Sequence, residues 1–368
     1  MIKYIGSKRK LVPLIVDVIR RTGRGQTVVD LFSGTSRVGH ALKAAGYRVL
    51  ANDHNAYAEV LARCYVQADA EDVLDDARKL IREFNQLRGS PGYFTETFCI
   101  HSRFFQPKNG ERIDAIREAI ARKGLDPELE AVVLVSLMEA ADRVDSTTGV
   151  QMAYLKKWAP RSYNELELRV PNVLPRARAG KGRSFCMDAL EAARRLEGDV
   201  IYLDPPYNQH SYLGNYHVWE TLVRWDKPEV YGVACKRVDV RGRRSVFNSR
   251  PRFAAAMHEL LMRVRASVVV VSFNNEGFLT RDEIQCMLGS LWDGNAHLAV
   301  IQRDYKRYVG AQIGIHNLQG EKVGRVSHLR NKEFVYVASR MPVADELLDI
   351  AAEPRSRQME LNMIGVVP

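Results

Sequence analysis

The stretch Val200-Ile-Tyr-Leu-Asp204-Pro205-Pro206-Tyr207-Asn208 decides the reading of this chain. Val200 to Leu203 reads as a short buried strand. Asp204 stands where that strand ends, and two prolines follow that cannot continue a ladder. In an open parallel sheet, ligands bind at the carboxyl ends of the strands. The Pro-Pro pair fixes two φ angles and leaves carbonyls with no competing amide donors. An Asp204 oxygen and the Pro205 carbonyl can then both accept from one amino group, and Tyr207 offers a flat face for stacking. Such a site suits a planar ring with an exocyclic NH2. The plainer reading is a buried strand ending in a proline turn with a solvated acid.

The flanking sequence supplies the sheet. Thr27 to Phe32 reads as a strand and Ser33 to Gly39 as a small-residue turn. A helix follows from Val38 and closes at Gly46, and Tyr47 to Asp53 is a second strand ending in an acid. This is the βαβ unit of a nucleotide-binding half. Gly34 lets a ligand approach the backbone, and the free N–H groups of the next helix favour a polar or anionic group. Asp53 ends the adjacent strand where a ribose diol would lie. No Gly-Lys-Ser/Thr follows the turn, so it is not a P-loop, and the full Gly-x-Gly-x-x-Gly of a dinucleotide fold is absent.

From about residue 56 to 183 the pattern becomes helical, with predicted helices at 56–65, 70–87, 112–123 and 128–141. Loops rich in Gly, Pro, Asn and aromatics are expected at 88–110 and 145–165, and a basic linker at 175–183. The α/β pattern resumes with a strand at 184–188, a helix at 189–196, the strand before Asp204, helices near 216–225 and 251–264, a central strand at 266–273 and late strands at 297–303 and 333–338. The expected division is a catalytic domain of residues 1–55 and 184–345, a helical insertion of residues 56–183, and a charged tail of residues 346–368.

The chain has 368 residues and a formal net charge of +10, which favours a polyanionic partner, most simply nucleic acid. Its five cysteines are scattered without paired spacing, against a disulfide framework or a zinc site. No signal peptide opens the sequence, and no stretch approaches the ~20 apolar residues of a membrane span. The expectation is a cytoplasmic protein without a metal.

Three elements in order give the chain a family resemblance: Lys3-Tyr4-Ile5-Gly6-Ser7-Lys8, Asp30-Leu31-Phe32-Ser33-Gly34, and Asp204-Pro205-Pro206-Tyr207. Together they resemble the Dam-like, alpha-order amino-methyltransferases of DNA, over roughly residues 1–340. The stretches from Asn215 to Leu222 and from Ser272 to Gly277 also look familial. The resemblance implies a Rossmann-like α/β fold that binds S-adenosyl-L-methionine (AdoMet), with target recognition in the helical insertion. Tyr4 and Lys8 would line the AdoMet pocket. Phe32, Ser33 and Gly34 would wrap the methionine end, with Asp30 near its ammonium. Asp53 would take the ribose hydroxyls, and Asp188 the adenine amino group unless it is an N-cap. Ser36 stands where the family usually has a second glycine.

The implied chemistry is methylation of an exocyclic amine on a flipped base, with Asp204, Pro205, Pro206 and Tyr207 holding the ring. Asp204 rather than Ser favours adenine N6 over cytosine N4, and the insertion favours DNA over RNA. A catalytically silent nucleic-acid-binding module is a different class, which an intact Asp204 to Tyr207 opposes. The loop carrying Lys236, Arg237, Arg241, Arg243, Arg244 and Arg250 suits phosphate clamping, with Phe247 as a wedge beside it. A solvated charged loop is the alternative. Tyr305-Lys306-Arg307-Tyr308 is a lesser candidate of the same kind. In the insertion, Arg103, Lys108, Asn109, Arg143, Gln151, Lys156 and Lys157 are candidates to read base edges. Double-stranded DNA is the expected partner, with a cognate restriction endonuclease as a second one.

Overall fold

A seven-stranded sheet organises the molecule in the computed structural model, which describes residues 1–306 and 330–342 apart from Ser7, Arg24, Asn208 and His210. Its strands are β1 (Thr27–Asp30), β2 (Arg48–Asp53), β3 (Arg183–Cys186), β4 (Val200–Leu203), β5 (Val268–Asn274), β6 (His297–Lys306) and β7 (Arg330–Ser339). They lie in the order β3-β2-β1-β4-β5-β7-β6. The first five are parallel, and β7 runs antiparallel to both β5 and β6.

The order reverses between β1 and β4. From β1 the chain winds outward through β2 to β3, then returns to place β4 on the other side of β1. In a parallel sheet this reversal opens a crevice beyond the strand ends, because the crossovers on either side depart in opposite directions. The register sets Asp30 beside Ala51 of β2 and Tyr202 of β4, so the ends of β1, β2 and β4 lie side by side.

Both sheet faces are covered, which is why the strands read as continuous apolar runs. Val29, Leu31, Ile201, Leu203, Val269 and Val271 pack under helices Ala189–Arg195, Arg250–Leu261 and Arg281–Gly289. The alternate residues Val28, Val49, Val200, Tyr202, Val268 and Val270 pack against Val12–Arg21 and Arg37–Ala44. Each such aliphatic side chain, fully buried, contributes about 1.5–3 kcal/mol.

Between β2 and β3 the chain forms a helical layer: Ala56–Ala62, Ala70–Gln86, Pro107–Lys123 and Pro127–Val144. Its core also takes in Ile2 from the N-terminal segment and Tyr216, Val218, Trp219 and Leu222 from beyond β4. The layer is therefore fused to the sheet through shared apolar packing. The stretch expected as a loop at 88–110 is partly helical. Pro107 starts a helix at a position where its missing N–H costs nothing. A π-helical turn occupies Glu96–His101. The basic linker is pinned, since Arg176 pairs with Asp69 and Asp72 and Lys181 with Asp72 and Glu128. Helix Arg281–Gly289 was not expected, although the capping box of Thr280 and Glu283 announces it. The tail of residues 346–368, with Arg307 and Tyr308, lies outside the described residues.

Candidate active site

One cleft of about 890 Å³ gathers most of the residues singled out in the sequence: Tyr4, Lys8, Asp30, Phe32, Ser33, Gly34, Asp53, Asp188, Asp204 and Pro206 all line it.

The turn after β1 is fastened on both sides. Leu31 N–H donates to the Tyr202 carbonyl of β4, and Ser33 N–H to the Asn52 carbonyl of β2. Asp53 accepts from the Gly34 amide at 3.0 Å and, through its other oxygen, from the Asn55 amide. Gly34 has φ +51°, which its lack of a Cβ permits. Ser36 also takes a left-handed conformation, φ 59° and ψ 21°, with its hydroxyl 3.0 Å from that of Ser33. The family's glycine position thus keeps glycine-like geometry with a serine in it.

Asp30 ends β1 with 1% of its surface exposed, and neither carboxylate oxygen has a hydrogen-bond partner. Burial, then the nearby charges of Asp204 and Asp53, raise its pKa to about 7. Asp188 caps helix Ala189–Arg195 by accepting from the Leu190 amide, yet it stays exposed at the cleft edge. It therefore does what an N-cap does and also faces the cleft. Asn52, missed in the sequence, locks this corner: its side chain donates to the Leu31 and Met187 carbonyls and accepts from the Met187 amide.

At the other end of the cleft, Asp204 follows β4 with 18% of its side chain accessible. Lys8 places its ammonium 3.2 Å from Asp204 Oδ1 and 3.4 Å from Glu333 Oε2 on β7. Burial, offset in part by Lys8, moves the Asp204 pKa up to about 6, and Glu333 pushes in the same direction. Burial alone would lower the Lys8 pKa, but Asp204, Tyr207 and Glu333 outweigh it, so Lys8 stays protonated. Tyr207 stands edge-on to Phe273 with ring centroids 5.1 Å apart, and Lys8 sits over its ring. Tyr4 is stacked between two other tyrosines, Tyr212 at 5.1 Å and Tyr216 at 4.5 Å, and its hydroxyl meets that of Tyr57.

A second groove shares Ser245 and Asn248 with the cleft and, among the described residues, is lined by Lys236, Arg241, Arg244 and Arg252 but by no acid. Arg241 places its guanidinium carbon over Tyr231, 4.0 Å from the ring centroid. Two of the expected phosphate clamps are elsewhere. Arg237 is 1% exposed and paired with Asp226 and Asp239. Arg243 is held by the fully buried Glu220 and by Asp239. Arg250 is exposed at the start of helix Arg250–Leu261. Phe247 is no wedge: it is fully buried and packs edge-on against Phe32 of the cofactor-loop candidate and against Phe253. It ties the basic loop to the cleft instead.

In the helical layer, Asn109 and Gln151 are buried and spend their amides on backbone groups, so neither reaches a partner surface. Arg143 and Lys108 donate to backbone carbonyls of the 163–167 segment, and Arg103 lies over Trp158. Lys156 and Lys157 are exposed. Among the described residues no helix is long and apolar enough to cross a membrane, and no group of acids, histidines and cysteines could hold a metal ion.

Similar proteins carry the same chemistry in their names. The chain is 31% identical to the type II methyltransferase M.FokI of Planomicrobium okeanokoites over 78% of this chain and 47% of that protein. It is 27% identical to the modification methylase StsI of Streptococcus sanguinis over 78% of this chain and 46% of that one. It is also 27% identical to the type II methyltransferase M.NlaIII of Neisseria lactamica, over 90% of this chain and 99% of that protein. The chain thus spans about half the length of the first two relatives and nearly the whole of the third. A family model matches residues 4–254, and by that match the chain belongs to the D12 class of N6 adenine-specific DNA methyltransferases.

Proposed function

We propose that this chain methylates the N6 amino group of adenine within a specific sequence of double-stranded DNA, using AdoMet. The observation that carries the reading is the line of three acids, Asp30, Asp53 and Asp204, at neighbouring strand ends of one cleft. Asp30 is a buried carboxyl with no hydrogen bond among the described residues and a pKa raised to about 7, and a cationic ligand would hold it ionised. The cleft also combines aromatic and backbone surface with the exposed Asp188. These residues fit AdoMet: Asp30 would face its ammonium, Asp53 its ribose, Asp188 its adenine, and Tyr4, Phe32, Ser33 and Gly34 would enclose it. AdoMet supplies an electrophilic methyl group.

The protein's part is to orient the nucleophile. An aromatic amine is weakly nucleophilic because its lone pair is delocalised into the ring. Asp204 and the Pro205 carbonyl, accepting both N–H groups, would hold that nitrogen nearer to sp³ and stabilise the positive charge that develops on it. With its pKa near 6, Asp204 is ionised at neutral pH and able to accept. Pro206 and Tyr207 complete the wall for the base, which must leave the duplex to reach Asp204. Lys236, Arg241, Arg244 and Arg250 are the cations left for backbone phosphates, and Arg252 joins them. We extend the reading to residues 56–183 as the target-recognition part, to the cytoplasm as the place of action, and to a restriction endonuclease of the same specificity as a partner.

The test is mass spectrometry of nucleosides from DNA treated with the chain and isotope-labelled AdoMet. Label in N6-methyladenine is expected. Label only in N4-methylcytosine overturns the choice of base, and label only in RNA overturns the choice of nucleic acid.

A further inference from the structure

We infer that Arg37 binds the carboxylate of the cofactor's amino-acid end, in the cleft that Asp30 also lines, so that this cleft is built for a zwitterion. The inference rests on the reading of the cleft as the AdoMet site. Arg37 opens helix Arg37–Ala44 one residue after Ser36 and lines the same cleft as Asp30, Gly34 and Thr35. Its guanidinium is poorly served by the protein. Nη2 reaches the Ile2 carbonyl at 3.4 Å, and the buried Nε has no partner. Among the described residues Arg37 makes no ion pair.

The charges around Arg37 do not fill that need. Glu139 is already engaged by the Met1 ammonium and the Tyr65 hydroxyl. Asp142 accepts from the Lys3 amide and pairs with the Lys3 ammonium. Arg9 adds a like charge, and burial disfavours the charged guanidinium further. Asp30 is the mirror case: a buried carboxylate with Ser33 and Gly39 beside it but no hydrogen bond to either oxygen.

A charged group that lacks partners is costly where water is partly or wholly excluded, and one cleft holds two of opposite charge type, the buried Asp30 carboxyl and the half-buried Arg37 guanidinium with its unpartnered Nε, with no ion pair between them among the described residues. A ligand with a single charge satisfies one and leaves the other. An α-amino acid carries both charges on one carbon and satisfies both. Arginine suits the carboxylate because its N–H groups lie in one plane and can meet both oxygens.

Binding measurements separate this role from a structural one. The probes are S-adenosylhomocysteine and its decarboxylated analogue, which keeps the adenosine and the ammonium. Calorimetry on the wild-type chain should show the parent bound about tenfold or more tightly than the analogue. In Arg37→Gln that preference should fall to near unity, with the analogue's affinity unchanged. Arg37→Lys should restore part of the preference, and it serves if the glutamine variant does not fold. If both ligands weaken equally in the variants, Arg37 only braces Ile2 and the inference is overturned. A preference that persists in Arg37→Gln overturns it too. Failure of the wild-type chain to bind either probe would instead remove the cofactor reading itself.

Discussion

The Lys8 ammonium lies between two carboxylates, 3.2 Å from Asp204 and 3.4 Å from Glu333, with all three side chains largely buried. One cation between two anions leaves a net negative charge in a low-dielectric place. The cost appears as the raised pKa of Asp204, and Lys8 keeps it from rising further. Lys8 thus sets the protonation state of the group expected to accept from the target amine.

Catalysis should separate from cofactor binding. Asp204→Ala is expected to abolish methyl transfer while S-adenosylhomocysteine affinity stays near normal. Asp53→Ala should weaken that affinity by about 1–3 kcal/mol through lost charged hydrogen bonds. Calorimetry and a tritium-transfer assay read the two effects, and brisk turnover by Asp204→Ala would exclude its role.

The rate should depend on pH through Asp204. Only the ionised Asp204 can accept from the amine beside the Pro205 carbonyl, so kcat/KM is expected to rise with pH through about 6 and level off above it. Lys8→Met removes the cation that holds this value down, so the rise should move to higher pH. A pH profile identical to wild type in that variant would mean that Lys8 does not govern Asp204.

Asp30 should make the ligand-free protein less stable as pH rises. Its folded-state pKa of about 7 exceeds the ordinary aspartate value of 3.8, so the folded form holds the extra proton between these values. Its contribution is therefore fully present at low pH and lost as pH climbs toward 7, by up to about 1.4 kcal/mol per pH unit. Buried His217, with its pKa lowered to about 3, acts oppositely below its ordinary value of 6.5 and masks part of the trend. The difference between Asp30→Asn and wild type removes that background. Denaturant unfolding should show the variant gaining on wild type steadily from pH 5 to about pH 7. A constant difference would mean that Asp30 is not perturbed.

The arginines of the basic loop should divide into two kinds. Replacing Arg241, Arg244 and Arg252 with Ala should weaken DNA binding across sequences and flatten its salt dependence by up to about three phosphate contacts, with the melting temperature little changed. Arg237→Ala should instead destabilise the fold by about 2–3 kcal/mol, at or below the low end of the about 3–5 kcal/mol for a fully buried pair because its two acids are about a third exposed. An unchanged salt slope in the triple variant would make the groove an ordinary solvated surface.

Ser36→Gly should be close to neutral, within about 1 kcal/mol. It removes left-handed strain of about 1–2 kcal/mol but loses the hydroxyl contact with Ser33 and adds chain entropy to the unfolded state. Ser36→Val, β-branched at the same φ, should cost distinctly more. Thermal melts compare the two, and similar losses would show that backbone strain is not the governing factor.

Local chemistry made most of the cleft legible. The apolar run into Asp204 could only be a buried strand, and Pro205 and Pro206 could only end it. Asp30 and Asp53 were legible for the same reason, as acids that close short apolar runs a βαβ unit apart. The Gly34 turn was legible as a run of small residues between a strand and a helix, where a glycine lets a ligand approach the backbone. What these motifs lacked was any statement about partners distant in sequence. Glu333 opens an apolar run on a late strand and looks like a solvated strand end. It reaches Lys8 only because β7 pairs antiparallel with β5 and brings residue 333 opposite Asn274.

The sequence by itself therefore determined the α/β fold, the strand-end acids and the class of chemistry, because each depends on neighbours within one turn or one strand. Tertiary structure alone decided which charges are free. It paired Arg237 and Arg243 with buried or half-buried acids, buried Asn109, Gln151 and Phe247, and left the Asp30 carboxyl and the Arg37 Nε without a hydrogen bond among the described residues. A charge in a sequence has no environment. Its availability depends on burial and on partners from other elements, and the reversal of strand order between β1 and β4 brings those elements together.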